Sequence, residues 1–437
     1  MSGKILLVCI ALVLSADVGR AQTAAMPTGC QVSSRTTLSA LEARRQVLED
    51  DVAQKSAKSS APTAKAEARA LERDLRQSQE ELLQVLYQID CLKSATEEAA
   101  SRRARELAAP QPVLEVTTYY ATNRKASGNG AAAKFYGSDR ASSLQYGRAV
   151  VTIPSTHTPG NLELPSLWKL ERSADPSKHF VLKAVLPLTK DAARTEMAEK
   201  LAGMASHALL VFVHGYYTSF ADAALRTAQL AHDLQFPGMA FFYSWPSAGK
   251  ALAYWQDEET SQLSNDAFEQ LLGELSQLPV SDIYIVAHSM GNRVVASALR
   301  SRVEKKAETK HIRALLLAAP DINADLFRET IAPKLAAMHG TQTTIYAASS
   351  DLALKASKIV HGFKRVGETV GGVFTYPGLD TIDASSVAIM TRDFGHAYLM
   401  DSATVLKDIQ EIVAQKAAKQ RGLAEVGTSP NQYWQLR

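Results

Sequence analysis

The chain has 437 residues, too many for one average domain, and its 46% hydrophobic and 21% charged residues are ordinary for a soluble globular protein. Its 48 basic residues nearly balance 45 acidic ones, for a net charge of +3. With no long Lys/Arg block, nothing argues electrostatically for nucleic acid.

Residues 1–21 read as a secretory signal peptide. Lys4 supplies a positive n-region, and the apolar run from Ile5 to Leu14 is far shorter than the roughly 20 residues that span a bilayer. Gly19-Arg20-Ala21 offers a cleavage site, with Ala16 as a second. A periplasmic or secreted location is expected, with an uncleaved membrane anchor as the alternative. Of three cysteines, Cys9 falls in the presumed signal. Cys30 and Cys91 remain for an oxidising compartment, where pairing is favoured.

Residues 33–108 contain no Gly and, of prolines, Pro62 alone. Leu71, Leu75, Ser78, Leu82, Val85, Ile89 and Leu92 recur with gaps of four and three, a heptad seam with one small polar member. Leu38, Leu41, Leu48 and Val52 fit the same spacing, and Ser59 to Thr63 break the helix between the two runs. The pattern predicts an antiparallel coiled-coil hairpin. The chain midpoint between Cys30 and Cys91 falls inside that turn, which predicts a Cys30–Cys91 disulfide closing its base. The seam is a candidate for self-association or for a protein partner.

Residues 109–113 read as a linker. Beyond it, short apolar runs alternate with helical patterns over 114–418. Strands are expected at 114–121, 146–153, 179–186, 208–213, 238–244, 282–287, 313–318, 343–348 and 386–390, and helices at 190–205, 220–234, 257–277, 290–305, 324–337 and 396–418. Continuous apolar strands such as Leu209–Val213 suit a parallel sheet covered on both faces, and the alternation predicts an α/β layered fold. The segment 126–131 reads as a mobile loop and 419–437 as a frayed tail.

Three segments carry chemistry. In Ala287-His288-Ser289-Met290-Gly291, an apolar strand runs into a serine with small residues two before and two after it, then into a helix. This is the nucleophile-elbow arrangement with Ala287 in the first glycine position, and it makes Ser289 the candidate nucleophile. In Val213-His214-Gly215-Tyr216, another buried strand ends in the loop that supplies an oxyanion donor in such folds; the backbone N–H groups of Tyr216 and Met290 are the candidate pair. His214, at the strand end and ahead of the nucleophile, reads as structural. The order nucleophile, acid, histidine makes His396 the candidate base, with His361 second; His311 and His339 each precede a strand, on the wrong side of the sheet. Two candidate acids follow strands, Asp351 and Asp321, and Asp383 is a third possibility. Asp321 also reads as a cap for helix 324–337 or a rim residue. Tyr254 and Trp255 are candidates for an acyl pocket or for simple packing.

The combination of Tyr119-Tyr-Ala-Thr-Asn-Arg124, Tyr146 to Pro154, His214-Gly-Tyr, Phe242-Tyr-Ser-Trp-Pro-Ser247, Ala287-His-Ser-Met-Gly-Asn292, Ala319-Pro-Asp321 and Ser350 to Leu354 resembles a bacterial α/β-hydrolase family catalogued as a domain of unknown function, number nine hundred. The resemblance spans about 115–410 and implies an esterase- or lipase-like site, with Ser289, Asp351 and His396 on the family's presumed triad. It implies no particular substrate. The expected activity is hydrolysis of a small ester or lipid-like substrate through an acyl-enzyme, without metal or organic cofactor. The rival is a non-catalytic envelope adaptor that works through the hairpin.

Overall fold

The computed structural model describes residues 37–59, 113–165, 174–249, 253–349, 363–387 and 398–436, together with scattered helical positions between 70 and 89. These residues fall into two compact units, one before and one after residue 110.

In the first unit, a helix spans Leu38–Ser59. Leu41, Leu48, Ser78, Val85 and Ile89 are buried, each a position of the heptad pattern. Arg44 pairs with Glu81 at 3.0 Å. Ser78 Oγ donates to Asp51 at 2.6 Å and accepts from Lys55 at 2.7 Å, which explains a buried hydroxyl in an apolar seam. The expected turn near 60 and the pair Cys30 and Cys91 lie outside the described residues.

The second unit is built on an eleven-stranded sheet in the order β10-β11-β9-β8-β7-β6-β4-β5-β1-β2-β3. Its strands are β1 Leu114–Ala126, β2 Tyr136–Ile153, β3 Val181–Leu188, β4 Ala208–Val213, β5 Met239–Ser244, β6 Asp282–His288, β7 Ile312–Ala318, β8 Gln342–Ala347, β9 Asp380–Asp383, β10 Ala424–Val426 and β11 Tyr433–Gln435. The run from β11 through β9, β8, β7, β6, β4 and β5 to β1 is parallel throughout; β2 and β10 lie antiparallel to their neighbours.

Alternation along the central strands fills two cores. Leu209, Val211 and Val213 of β4 join Ile283, Ile285 and Ala287 of β6 on one face, beneath helices Asn265–Leu275 and Gly291–Glu304. Leu210 and Phe212 join Tyr284 and Val286 on the other, beneath helices Phe220–Asp233 and Ala403–Val413. Both faces are covered, as the continuous apolar strands require.

Several elements depart from the sequence expectation. The helix expected over 257–277 is two, Tyr254–Gln262 and Asn265–Leu275. Ser264 separates them: its Oγ accepts from Asn123, and its carbonyl accepts from the Tyr243 hydroxyl. The helix expected over 324–337 is interrupted by a π turn at Phe327–Ile331 and resumes at Ala332–Ala336, where Pro333 has no N–H for a regular ladder. Its cap is Asn323, which accepts from the N–H groups of Asp325 and Leu326, and not Asp321. Of the last predicted strand, 386–390, the first two residues lie in a turn at 385–387 and the other three lie outside the described residues; a strand the sequence did not suggest, β9, precedes them.

The tail over 419–437 is no frayed end. Its strand β11 pairs parallel with β9 through Trp434 and Gln435. Leu436 is buried, and its N–H donates to the Asp383 carbonyl. Arg421, also buried, pairs with Asp408 at 3.0 Å. The segment 126–131 leads from β1 into β2, with the Ser127 N–H bonded to the Phe135 carbonyl.

Candidate active site

Ser289 lies between the C-terminal end of β6 and helix Gly291–Glu304. Its φ is +51°, a left-handed conformation that a non-glycine residue holds only when its surroundings over-determine it. The surroundings do so. The Ser289 N–H donates to the Ala318 carbonyl at 2.9 Å, and its own carbonyl accepts from the Asn292 amide side chain at 2.9 Å. Asn292 Nδ2 also donates to the Ala318 carbonyl, which ties the turn to the end of β7. A Cβ on Gly291 would stand 2.3 Å from the His214 carbonyl oxygen, so only glycine fits where the helix start passes the end of β4.

The loop after β4 comes equally close. A Cβ on Gly215 would stand 2.8 Å from the Ser289 Cβ. Bare backbone at Gly215 thus lets the His214-Gly215-Tyr216 segment lie against the serine. Met290 is buried at the other side of the turn, at the positive end of the following helix.

These features form a strand–turn–helix elbow with an adjacent glycine loop. The family model described as alpha/beta hydrolase of unknown function (DUF900) matches residues 189–415, more than half of the chain. The chain belongs to this α/β-hydrolase family. No curated protein matches it in sequence. Solved structures similar to this hydrolase include a mutant of the esterase rPPE, at 12% identity over 72% of this chain and 86% of that one, with a TM-score of 0.28. A Pyrobaculum calidifontis esterase is similar at 12% identity over 76% and 96%, also with a TM-score of 0.28.

Of the expected site residues, the hydrolase brings Ser289, Met290, Tyr216 and Asp321 to one edge of the sheet. Asp321 follows β7, and its N–H reaches the Ser289 carbonyl at 3.4 Å. Its carboxylate accepts from the Tyr254 hydroxyl at 2.5 Å and pairs with Arg365 at 3.3 Å and Arg293 at 3.6 Å. Asp383 ends β9 and accepts from the N–H and hydroxyl of Ser385. Asp351, His361 and His396 lie outside the described residues. His311 and His339 precede β7 and β8, at the edge of the sheet opposite Ser289.

The Tyr254 ring stands edge-on to Tyr216 at 5.4 Å, while Trp255 is 57% exposed. Tyr254 therefore packs against the glycine loop, and Trp255 presents its indole to solvent beside it.

His214 is fully buried and structural. Its Nδ1–H donates to the Gly215 carbonyl at 2.8 Å, so Nε2 accepts from the Ser244 hydroxyl at 3.1 Å; the ring stacks on Trp245. Burial first, and then the charge of Arg124, push its pKa down to about 3 from 6.5. The folded state excludes a proton that the unfolded chain takes up below pH 6.5. Stability from this site is complete above pH 6.5 and falls as pH drops from there toward 3. We expect denaturation midpoints of wild type and His214→Gln to converge between pH 7 and pH 4.5, with the wild type losing up to about 1.4 kcal/mol per pH unit more than the variant. Parallel pH profiles would assign the acid limb elsewhere.

The sequence reading passed over the charged pair beneath the loops. Arg124 is 1% exposed. It donates from Nε to Ser244 Oγ, from Nη1 to the Gly137 and Ser247 carbonyls, and from Nη2 to the Thr218 carbonyl at 2.7 Å. Asp257, also buried, accepts from the Tyr217 N–H at 3.1 Å, the Ala248 N–H at 2.6 Å and Ser247 Oγ at 2.5 Å. Together they clamp the 214–219 loop to the 244–248 loop. Burial lowers the Arg124 pKa to about 10, so it stays cationic at neutral pH. Burial likewise raises the Asp257 carboxyl, against the pull of its three donors and of Arg124. The signal was present for Arg124, which closes the first motif of the family resemblance; Asp257 sat in an unremarkable acidic helix.

Proposed function

We propose that the protein is a serine esterase whose nucleophile is Ser289. The observation that carries this reading is the left-handed serine between β6 and its helix, packed against the bare backbone of Gly215. Such a turn lifts a hydroxyl out of the backbone ladder and beside the N-terminal end of a helix, where negative charge is favoured.

In this reading Ser289 Oγ attacks the ester carbonyl carbon while His396 removes its proton. The N–H groups of Tyr216 and Met290 receive the developing oxyanion, and losing one such donor typically adds roughly 3 kcal/mol to the barrier. His396 then returns the proton to the departing alcohol. Water, deprotonated by the same imidazole, hydrolyses the acyl-enzyme and releases the carboxylic acid. Asp351 orients the imidazole. Asp321 serves the rim: it is already engaged with Tyr254, Arg293 and Arg365. Tyr254 and Trp255 border the acyl pocket. The protein works in the periplasm or outside the cell after removal of residues 1–21. Residues 33–108 form an antiparallel coiled-coil hairpin, closed by a Cys30–Cys91 disulfide, that joins a second copy or another protein.

A fluorophosphonate probe tests the central claim. The wild type is expected to be labelled and Ser289→Ala not. Labelling of neither, in protein whose circular dichroism is native, would sink the enzyme reading and favour the adaptor.

A further inference from the structure

A cluster of metal-ligating side chains lies away from Ser289. His232 and Asp233 sit at the C-terminal end of helix Phe220–Asp233, whose N-terminal end follows the glycine loop. Fourteen residues make that helix about 20 Å long, which puts the two ends on opposite edges of the sheet. The loop after β2 brings His157 against them. Donor atoms of His157, His232 and Asp233 lie within 4.8 Å of one another.

We propose that His157 Nε2, His232 and Asp233 bind a divalent cation of the zinc class. Imidazole and carboxylate are the donor types such ions take, and three protein ligands leave a fourth position open. That position has space: a pocket of about 300 Å³ opens here, lined by Pro159, Ala231, His232, Asp233, Gln235 and Phe236. The outer contacts match those of a built site. Glu163 stands 2.8 Å from His157 Nδ1, which fixes the ring and turns Nε2 toward Asp233 at 2.6 Å. A carboxylate behind a ligating histidine serves that purpose in metal centres. The far oxygen of Asp233 accepts from the Gly160 N–H at 2.9 Å and the Gln229 amide at 3.1 Å, which orients the near one. Gly160, at φ +88°, permits the loop to turn there.

Two donors on one zinc ion stand at most about 4 Å apart. His157 Nε2 and Asp233, at 2.6 Å, are in direct hydrogen bond, so the ion must displace the proton between them and part the two donors to its own radius while the His232 ring turns toward them. Linear spacing hid the cluster, because His157 comes from a loop more than seventy residues before the helix pair.

The test uses the full-length protein, stripped with chelator and dialysed. Zinc titration by calorimetry is expected to give one saturable site per chain that His232→Ala weakens at least about tenfold. Loading with cobalt(II) should give the visible absorption of a tetrahedral ion in the wild type and not in His232→Ala or Asp233→Asn. Thermal melting of the stripped proteins checks that each variant still folds. If the wild type takes up no zinc, or if His232→Ala binds it as tightly as the wild type, the proposal fails. The cluster is then an ion-pair latch in which His157 bridges Glu163 and Asp233.

Discussion

Replacing Ser289 by alanine is expected to lower the turnover of a p-nitrophenyl ester by about a millionfold, with little change in KM or in thermal stability. The side chain contributes an oxygen that no neighbour replaces, whereas the strained turn is held by backbone and Asn292 contacts that alanine keeps. His396→Ala should cost nearly as much, because nucleophile and base act as a unit. The two acids are separated by the same assay. Asp351→Asn is expected to lower kcat by about ten-thousandfold. Asp321→Asn should act mainly on stability, since it uncouples Arg365 and Arg293 from their shared carboxylate. The reverse ranking would move the acid to the end of β7. A Ser289→Ala variant that retained more than a tenth of the activity would place the nucleophile elsewhere.

Arg124→Met should destabilise the fold by about 3–5 kcal/mol, read as a fall in the urea midpoint. The substitution leaves Asp257 as a buried carboxylate without its cation. It also strips hydrogen bonds from the Thr218 and Ser247 carbonyls and from Ser244 Oγ. Lysine is no remedy, because a single ammonium does not reproduce a planar fork that reaches four acceptors in three directions. Since the clamp holds the 214–219 loop, kcat of the residual folded protein should drop as well. A variant with wild-type stability and rate would show that the two loops keep their positions without the pair.

The parts of the fold that were legible in the sequence share one property: their residues are interpreted by near neighbours in the chain. The run Leu209–Val213 is apolar on both faces, and the strand expected over 208–213 is β4, Ala208–Val213. The serine between two small residues has a local steric meaning, and Ser289 adopts the backbone that meaning requires. What escaped depends on distant partners. β9 is four residues with aspartate at each end, and β11 is three residues in a polar segment; each is a strand because of the other and of β8. Helix 265–275 begins where it does because Asn123 and Tyr243, from other strands, engage Ser264. Asp257 is important through loops that lie on either side of β5, which no local pattern reveals.

The place of β1 in the sheet has a kinetic meaning. β1 and β2 are adjacent in sequence and can zip together by short-range contacts, Tyr119 beside Arg148. On its other side, however, Tyr119 must find Phe241, beyond β3, β4 and two helices. During synthesis that hairpin emerges first yet waits, one edge unsatisfied, until β5 has left the ribosome. Such high contact order slows folding and leaves an aggregation-prone interval. Refolding from denaturant should therefore yield more native protein at high dilution, and chaperones that cover strand edges should matter most before residue 244 is made.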